Sequence, residues 1–182
     1  MMNRSYITSG NISPSEIKRI RQTLNMTQKE FAALLNVSSK SVERWEISDA
    51  PVSGAAASLI RIFAADPGLA EKIRIPEKIY PLRLLYKYHD VICTLIDVDE
   101  LRQLVQIKNY TSNLLFRAFG VNESPDYQDY RDFLESRCFP RERDKMKLIL
   151  RELDLPFYDP LMIIEKTGGR MAEDDFSIEI VR

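Results

Sequence analysis

Apolar residues recur at helical spacing along the first third of the chain, in three short stripes separated by polar turns. Ile17, Ile20 and Leu24 make the first, Phe31, Ala32 and Leu35 the second, and Val42 with Trp45 the third. A start signal precedes each stripe. In Ser13-Pro14-Ser15-Glu16 the serine can cap, the proline takes the first helical position, where its missing N–H costs nothing, and the acid stands where a capping box places it. Thr27-Gln28-Lys29-Glu30 repeats that logic, and Ser38 opens the third helix. Asn36 tolerates left-handed backbone and suits the turn that ends the second. Past the loop from Asp49 to Ser53, Leu59, Ile60 and Phe63 share one face of a fourth helix over 54–65. Asp66-Pro67-Gly68 then starts a short fifth over 69–73. Spacing of this kind fits any small helical bundle, so function has to come from particular side chains.

The period then changes. Val91 to Ile96 and Leu101 to Ile107 are rich in strand formers, and Asp97-Val98-Asp99-Glu100 between them suits a hairpin turn. Helices are predicted to start at Pro125 behind Ser124, at Pro140, and at Pro160 behind Asp159, with a closing strand over Phe176 to Val181. The expected organisation is a mobile arm over 1–12, a helical domain over 13–75, a linker over 76–84 marked by Pro76 and Pro81, and a small α+β domain with an antiparallel hairpin over 85–182. No internal repeat or low-complexity segment interrupts it.

Composition narrows the classes. Of 182 residues 45% are hydrophobic and 29% charged, the balance of a globular chain able to bury real cores. Apolar runs such as 55–65 fall short of the roughly 20 residues of a membrane span. The start Met-Met-Asn-Arg-Ser-Tyr lacks the apolar run, about 7 to 15 residues long, of a secretory signal. A cytoplasmic protein with no membrane partner is expected. Cys93 and Cys138 are far apart with apolar neighbours and read as reduced thiols. The net charge of −1 conceals an asymmetry: residues 1–75 carry ten Lys and Arg against seven Asp and Glu, and residues 76–182 carry sixteen against twenty. A basic first half matters only where the cations cluster.

They cluster on the third helix. With Val42 and Trp45 turned inward, Ser39, Lys40, Glu43 and Arg44 occupy the opposite surface. Residues 26–51, MTQKEFAALLNVSSKSVERWEISDAP, resemble the Cro/repressor-type (XRE) helix-turn-helix family. Gln28, Ala32, Val37, Ser38, Val42, Trp45, Glu46 and Pro51 stand where that family places such residues. The resemblance implies an N-terminal all-α, five-helix, lambda-repressor-like domain whose third helix enters the major groove of operator DNA. It implies that Ser39, Lys40 and Arg44 read bases, within a DNA-binding set of Thr27, Gln28, Lys29, Ser38, Ser39, Lys40, Ser41, Glu43 and Arg44. Thr27, Gln28 and Lys29 would seat the second helix on phosphate, where free N–H groups favour an anion. It also implies a structural ion pair between Arg21 and Glu46. Lysine and arginine suit guanine O6 and N7, and Glu43 can accept from cytosine N4. Against groove contact stands the plainer reading of Lys40 and Arg44 as a solvated face.

The remaining chemistry is sparse. Residues 51–69 are similar to the ending of MqsA-type antitoxins. The stretch 116–181 resembles short bacterial modules, some of them beside HipA-like kinases, and the helix-turn-helix resemblance extends to antitoxins of the MqsA and HipB kind. Two distant cysteines and the single His89 cannot assemble a tetrahedral zinc site, so no metal and no cofactor are expected. Thr167-Gly168-Gly169-Arg170 lacks the lysine and glycine spacing of a P-loop and reads as a helix end. Glu173-Asp174-Asp175 reads as a solvated turn, and Arg137, Arg141, Arg143, Lys145 and Lys147, interleaved with Glu135, Glu142 and Asp144, as a salt-bridged helix surface. No nucleophile, base and oxyanion group occur together, so no catalytic residue is assigned and no enzyme is expected. The expected function is an operator-binding repressor, homodimeric, plausible as the autoregulating antitoxin of a cognate toxin. The competing function is an enzyme or ligand sensor whose site lies in the second half.

Overall fold

Capping chemistry places the first helices. In the computed structural model, which describes residues 10–141 and 144–181, helix α1 spans Pro14–Thr23, and Ser13 Oγ accepts from the Glu16 N–H. Glu16 does not complete the box. Its carboxylate pairs with Arg61, which also donates to the Asn11 carbonyl. Helix α2 (Gln28–Leu34) has the reciprocal box, with Thr27 Oγ1 accepting from the Glu30 N–H and Glu30 accepting from the Thr27 N–H. Those bonds from Thr27 hold the Glu30 carboxyl below its ordinary range. Asn36 takes the left-handed turn at φ 53°. Helix α3 (Ser39–Ile47) follows behind Ser38, then α4 (Ala55–Ala65) and α5 (Gly68–Ile73).

The arm expected over 1–12 falls mostly on residues 1–9, outside the described residues, and its end is not an arm. Asn11–Ile12 form strand β1, paired antiparallel with β2 (Val52–Ser53), and Ile12 is fully buried. Ile17, Phe31, Val42, Ile60 and Phe63 complete the core of this first unit, which ends at Ile75. Trp45, expected inside, packs on that core half-buried.

The second unit starts at Pro76 and is built on four antiparallel strands in the order β5-β4-β3-β6. They are β3 (Leu82–Tyr88), β4 (Val91–Asp99), β5 (Leu104–Asn109) and β6 (Phe176–Val181). The expected hairpin, β4 with β5, is thus one side of a larger sheet in which β5 is an edge strand, and β3 occupies sequence read as linker up to residue 84. The turn between β4 and β5 lies at residues 100–103, because Asp97 and Asp99 are strand residues. The Asp99 carboxylate accepts from the backbone of Leu101 and Arg102 and shapes that turn. Helix α6 is Tyr127–Ser136, started by an Asp126 and Asp129 box and not at Pro125. Helix α7 is Met146–Glu152, well past Pro140, and α8 (Pro160–Thr167) begins where expected behind Asp159. Leu84, Ile96 and Ile178 from the sheet meet Tyr130, Leu134, Ile163 and Ile164 from α6 and α8 in one core.

Two buried arginines hold this unit. Arg83 is bidentate to Asp97 at 2.6 and 2.7 Å and donates to the carbonyls of Pro76 and Glu77. Arg137, expected on a salt-bridged surface, is buried. It donates to the Gly169 carbonyl and both Asp174 oxygens, and its guanidinium lies over the Tyr86 and Phe176 rings. Asp174 is therefore no solvated turn residue; Arg137 holds its carboxyl below the usual range. Arg141 does pair with Glu135 on the surface, while Glu142 and Arg143 lie outside the described residues. Gly168 ends α8 in left-handed backbone at φ 66°, and a Cβ on Gly169, itself at φ 59°, would stand 3.1 Å from the Ile178 side chain, so the turn favours glycine at both positions.

Because the Arg83 and Asp97 side chains are only 7% and 3% exposed, removing one partner leaves a charge without water. Asp97→Ala is expected to destabilise the protein by about 3–5 kcal/mol in urea unfolding. A change below about 1 kcal/mol, the size typical of an exposed pair, would contradict this account.

Candidate nucleic-acid interface

Helix α3 has two chemically distinct sides, and the inner one is fixed by a single carboxylate. Glu46, in its last turn, has a side chain 4% exposed. Arg21 from α1 donates to it twice, Nε to Oε1 at 2.6 Å and Nη2 to Oε2 at 3.0 Å. Gln28, the first residue of α2, donates from Nε2 to Oε2 at 2.9 Å. The third Arg21 nitrogen donates to the Met26 carbonyl in the turn between α1 and α2. Burial pushes the Glu46 carboxyl up, but the bonds from Arg21 and Gln28, with the charge of Arg21, more than offset it and leave it below its ordinary value. The same bond raises the Arg21 guanidinium. Val42 on this side is fully buried.

The outer side carries Ser39, Lys40, Glu43 and Arg44, all exposed and brought together on one face. Other members of the expected DNA-binding set have their side chains engaged within the unit. Thr27 Oγ1 is tied up with Glu30, and the Gln28 amide with Glu46. Ser38 Oγ caps α3 and bonds the Ser41 hydroxyl at 2.8 Å. Lys29 is exposed beside them. Two features escaped sequence reasoning. The Gln28 bond to Glu46 spans 18 positions and has no local signal, whereas Ile47, 77% exposed, shares the helical face of Lys40 and Glu43 and was legible from spacing.

The second unit holds both cysteines and the single histidine. Burial pushes the Cys138 thiol up to about 12 and raises that of Cys93, which favours the neutral thiol at both. His89 lies exposed in a left-handed turn, its Nε2 3.8 Å from an Asp175 oxygen. Among the described residues no group of His, Cys, Asp and Glu stands where it could hold a metal ion, and no helix is long and apolar enough to cross a membrane. A cleft of about 520 Å³ in the first unit, between Leu24, Met26, Leu34, Ala70 and Ile73, is mostly apolar and brings no catalytic pair together.

Glu46→Ala is expected to lower stability by about 3–5 kcal/mol at neutral pH by stranding Arg21. A carboxyl lowered by folding stabilises above its unfolded pKa and ceases to do so as pH falls through its folded pKa. Thermal melts of wild type and variant should therefore differ most above about pH 5, and the gap should narrow steadily as the pH is lowered from there. A gap independent of pH over that range would sink the ion-pair explanation.

Comparison with known proteins agrees with this geometry. Residues 17–60 match the helix-turn-helix family HTH_3, a span that contains α2, α3 and the Arg21, Gln28 and Glu46 cluster. The chain is also similar to the antitoxin HigA-2 of Vibrio cholerae, 40% identical over 57 residues, which make up 31% of this chain and 55% of that protein. The chain thus spans about half the length of the curated relative it matches. A clamped inner face, a capped α2 and a cationic outer face within a matching sequence make the N-terminal unit a helix-turn-helix domain of the XRE type.

Proposed function

We propose that the protein is a sequence-specific, non-enzymatic repressor that acts in the cytoplasm, binding operator DNA through α3. The observation that carries this reading is the outer face of α3, where Lys40, Glu43 and Arg44 stand exposed on a helix whose inner face is clamped. Arg44 and Lys40 supply donors for guanine O6 and N7, and Ser39 a small hydroxyl for either edge. Glu43 accepts from cytosine N4 and repels a misplaced phosphate, which favours one register over its neighbours. Lys29 and the free N–H groups at the start of α2 seat the domain on the backbone. With the Thr27 hydroxyl engaged as a cap and one Gln28 amide proton directed at Glu46, the backbone N–H groups and Lys29 carry most of that contact.

One α3 offers too few contacts for high affinity, so the protein acts as a homodimer on a palindrome with half-sites about 10 bp apart, or a multiple. The likeness to an antitoxin extends the proposal to an autoregulating antitoxin that binds a cognate toxin. Co-expression with the product of the adjacent gene tests that extension, with relief of toxicity expected and no relief counting against it.

The central test is a mobility-shift titration of the DNA upstream of its own coding sequence. Each good bidentate contact contributes about 1–3 kcal/mol. Lys40→Ala/Arg44→Ala should therefore bind at least about tenfold more weakly while melting as wild type does. Equal binding by both proteins would falsify the assignment of α3 as the reading helix. Light scattering of the free protein should return the mass of a dimer, and a monomer at binding concentrations removes the palindrome from the proposal.

A further inference from the structure

Large apolar side chains on a surface are ordinary, and exposure alone carries nothing. Ile47 is different because of where it sits. Among the described residues it is the most exposed large aliphatic side chain of the first unit, at 77%, against 45% to 52% for Ile62, Ile73 and Ile75. At 3.6 residues per turn it lies about 20° from Lys40 and about 40° from Glu43 around α3, near the middle of the exposed arc. Val42 and Glu46, which anchor the helix, lie about 140° and about 100° away from it around the axis. Folding therefore gives no reason for an isoleucine there, and a polar residue would be at least as compatible with the domain.

We infer that Ile47 is a specificity-determining residue that packs on the 5-methyl group of a thymine in the major groove. This rests on α3 being the base-reading helix. Its neighbours on the face are two cations, an acid and a serine hydroxyl, polar groups that cannot distinguish a thymine by its methyl. The thymine methyl is the one apolar group the major groove presents, and an aliphatic side chain is its natural complement. From Lys40 to Ile47 the helix rises about 10 Å, so the thymine lies within about three base pairs of the guanine read by Lys40. Lys40 and Arg44 draw the face onto DNA, and Ile47 loses water only where a methyl group is present to cover it.

The test removes that methyl alone. A duplex is selected from a randomised library with the full-length protein, and each thymine in turn is replaced by 2′-deoxyuridine. Wild type should lose about fourfold in affinity at one thymine per half-site, the effect of one buried methyl group, and show no loss at the others. Ile47→Ala should bind the unmodified duplex about fourfold more weakly, be indifferent to deoxyuridine at that position, and melt with the wild-type midpoint. A wild type indifferent to deoxyuridine at every thymine overturns the inference, as does an Ile47→Ala protein that keeps the wild-type penalty. If Ile47→Ala instead dissociates the dimer while the deoxyuridine penalties persist, Ile47 serves a protein contact and the inference is wrong. A wild type that selects no duplex at all removes the reading helix itself, an outcome distinct from the others.

Discussion

The Glu46 carboxylate is taken almost wholly out of water, and an ionised group in that position is tolerable only if donors surround it. Three donors do, and they come from two other helices: two nitrogens of Arg21 on α1 and the amide of Gln28 at the head of α2. The remaining Arg21 nitrogen is tied to the Met26 carbonyl in the turn that joins those helices. Rotating α3 or displacing α2 therefore costs a hydrogen bond to a buried charge, whereas apolar contacts around Val42 would yield more gradually. Buried ion pairs contribute little net stability over apolar substitutes of the same shape. What this one contributes is a particular angle between α2 and α3, the property on which a docked helix depends.

The second unit uses the same solution twice. Arg83 joins Asp97 to the carbonyls of Pro76 and Glu77, so the chain leading into β3 is fastened to the sheet. Arg137 joins the end of α6 to the turn after α8 and to the start of β6. That second cluster also deals with a sheet edge. The Phe176 N–H donates to Asp174, the Phe176 carbonyl accepts from Arg137, and the Ile178 N–H donates to the Gly168 carbonyl. Unpaired strand groups are a template for unwanted association, and here a loop and an arginine occupy them. Gly169 allows this because its missing Cβ lets the loop approach Ile178.

What could be read from the sequence follows from the range of the forces involved. Ser13, Thr27, Ser38 and Asp159 act on N–H groups three residues away, so the helices behind them were legible one by one. The Arg21 and Glu46 pair lies 25 positions apart and was found only through a resemblance. Pro76 and Pro81 mark the start of β3 as linker, and Arg83, its second residue, interrupts the apolar run that would signal a buried strand. The burial of Arg83 depends on Asp97 in another strand, which period-two reasoning cannot see. Arg137 failed for the same reason, its partner Asp174 lying 37 positions away. Local charge alternation around it pointed to solvent, and tertiary pairing prevailed. At the candidate interface the exposed arc of α3 was legible from its period. The engagement of Gln28 with Glu46 was not.

A helix divided in this way separates two tasks that conflict when they share residues. Orientation is carried by Val42 and Glu46, which face inward and touch other helices. Base preference would be carried by Lys40, Glu43, Arg44 and Ile47, which face outward. A substitution in the second group changes the chemistry offered to the groove while the inner contacts stay as they are, so its effects on affinity and on stability should be nearly independent. A substitution in the first group moves every outer side chain at once, because all of them ride on the same rigid turns. The outer face can therefore change its chemistry without changing how the helix stands, provided Glu46 keeps its three donors.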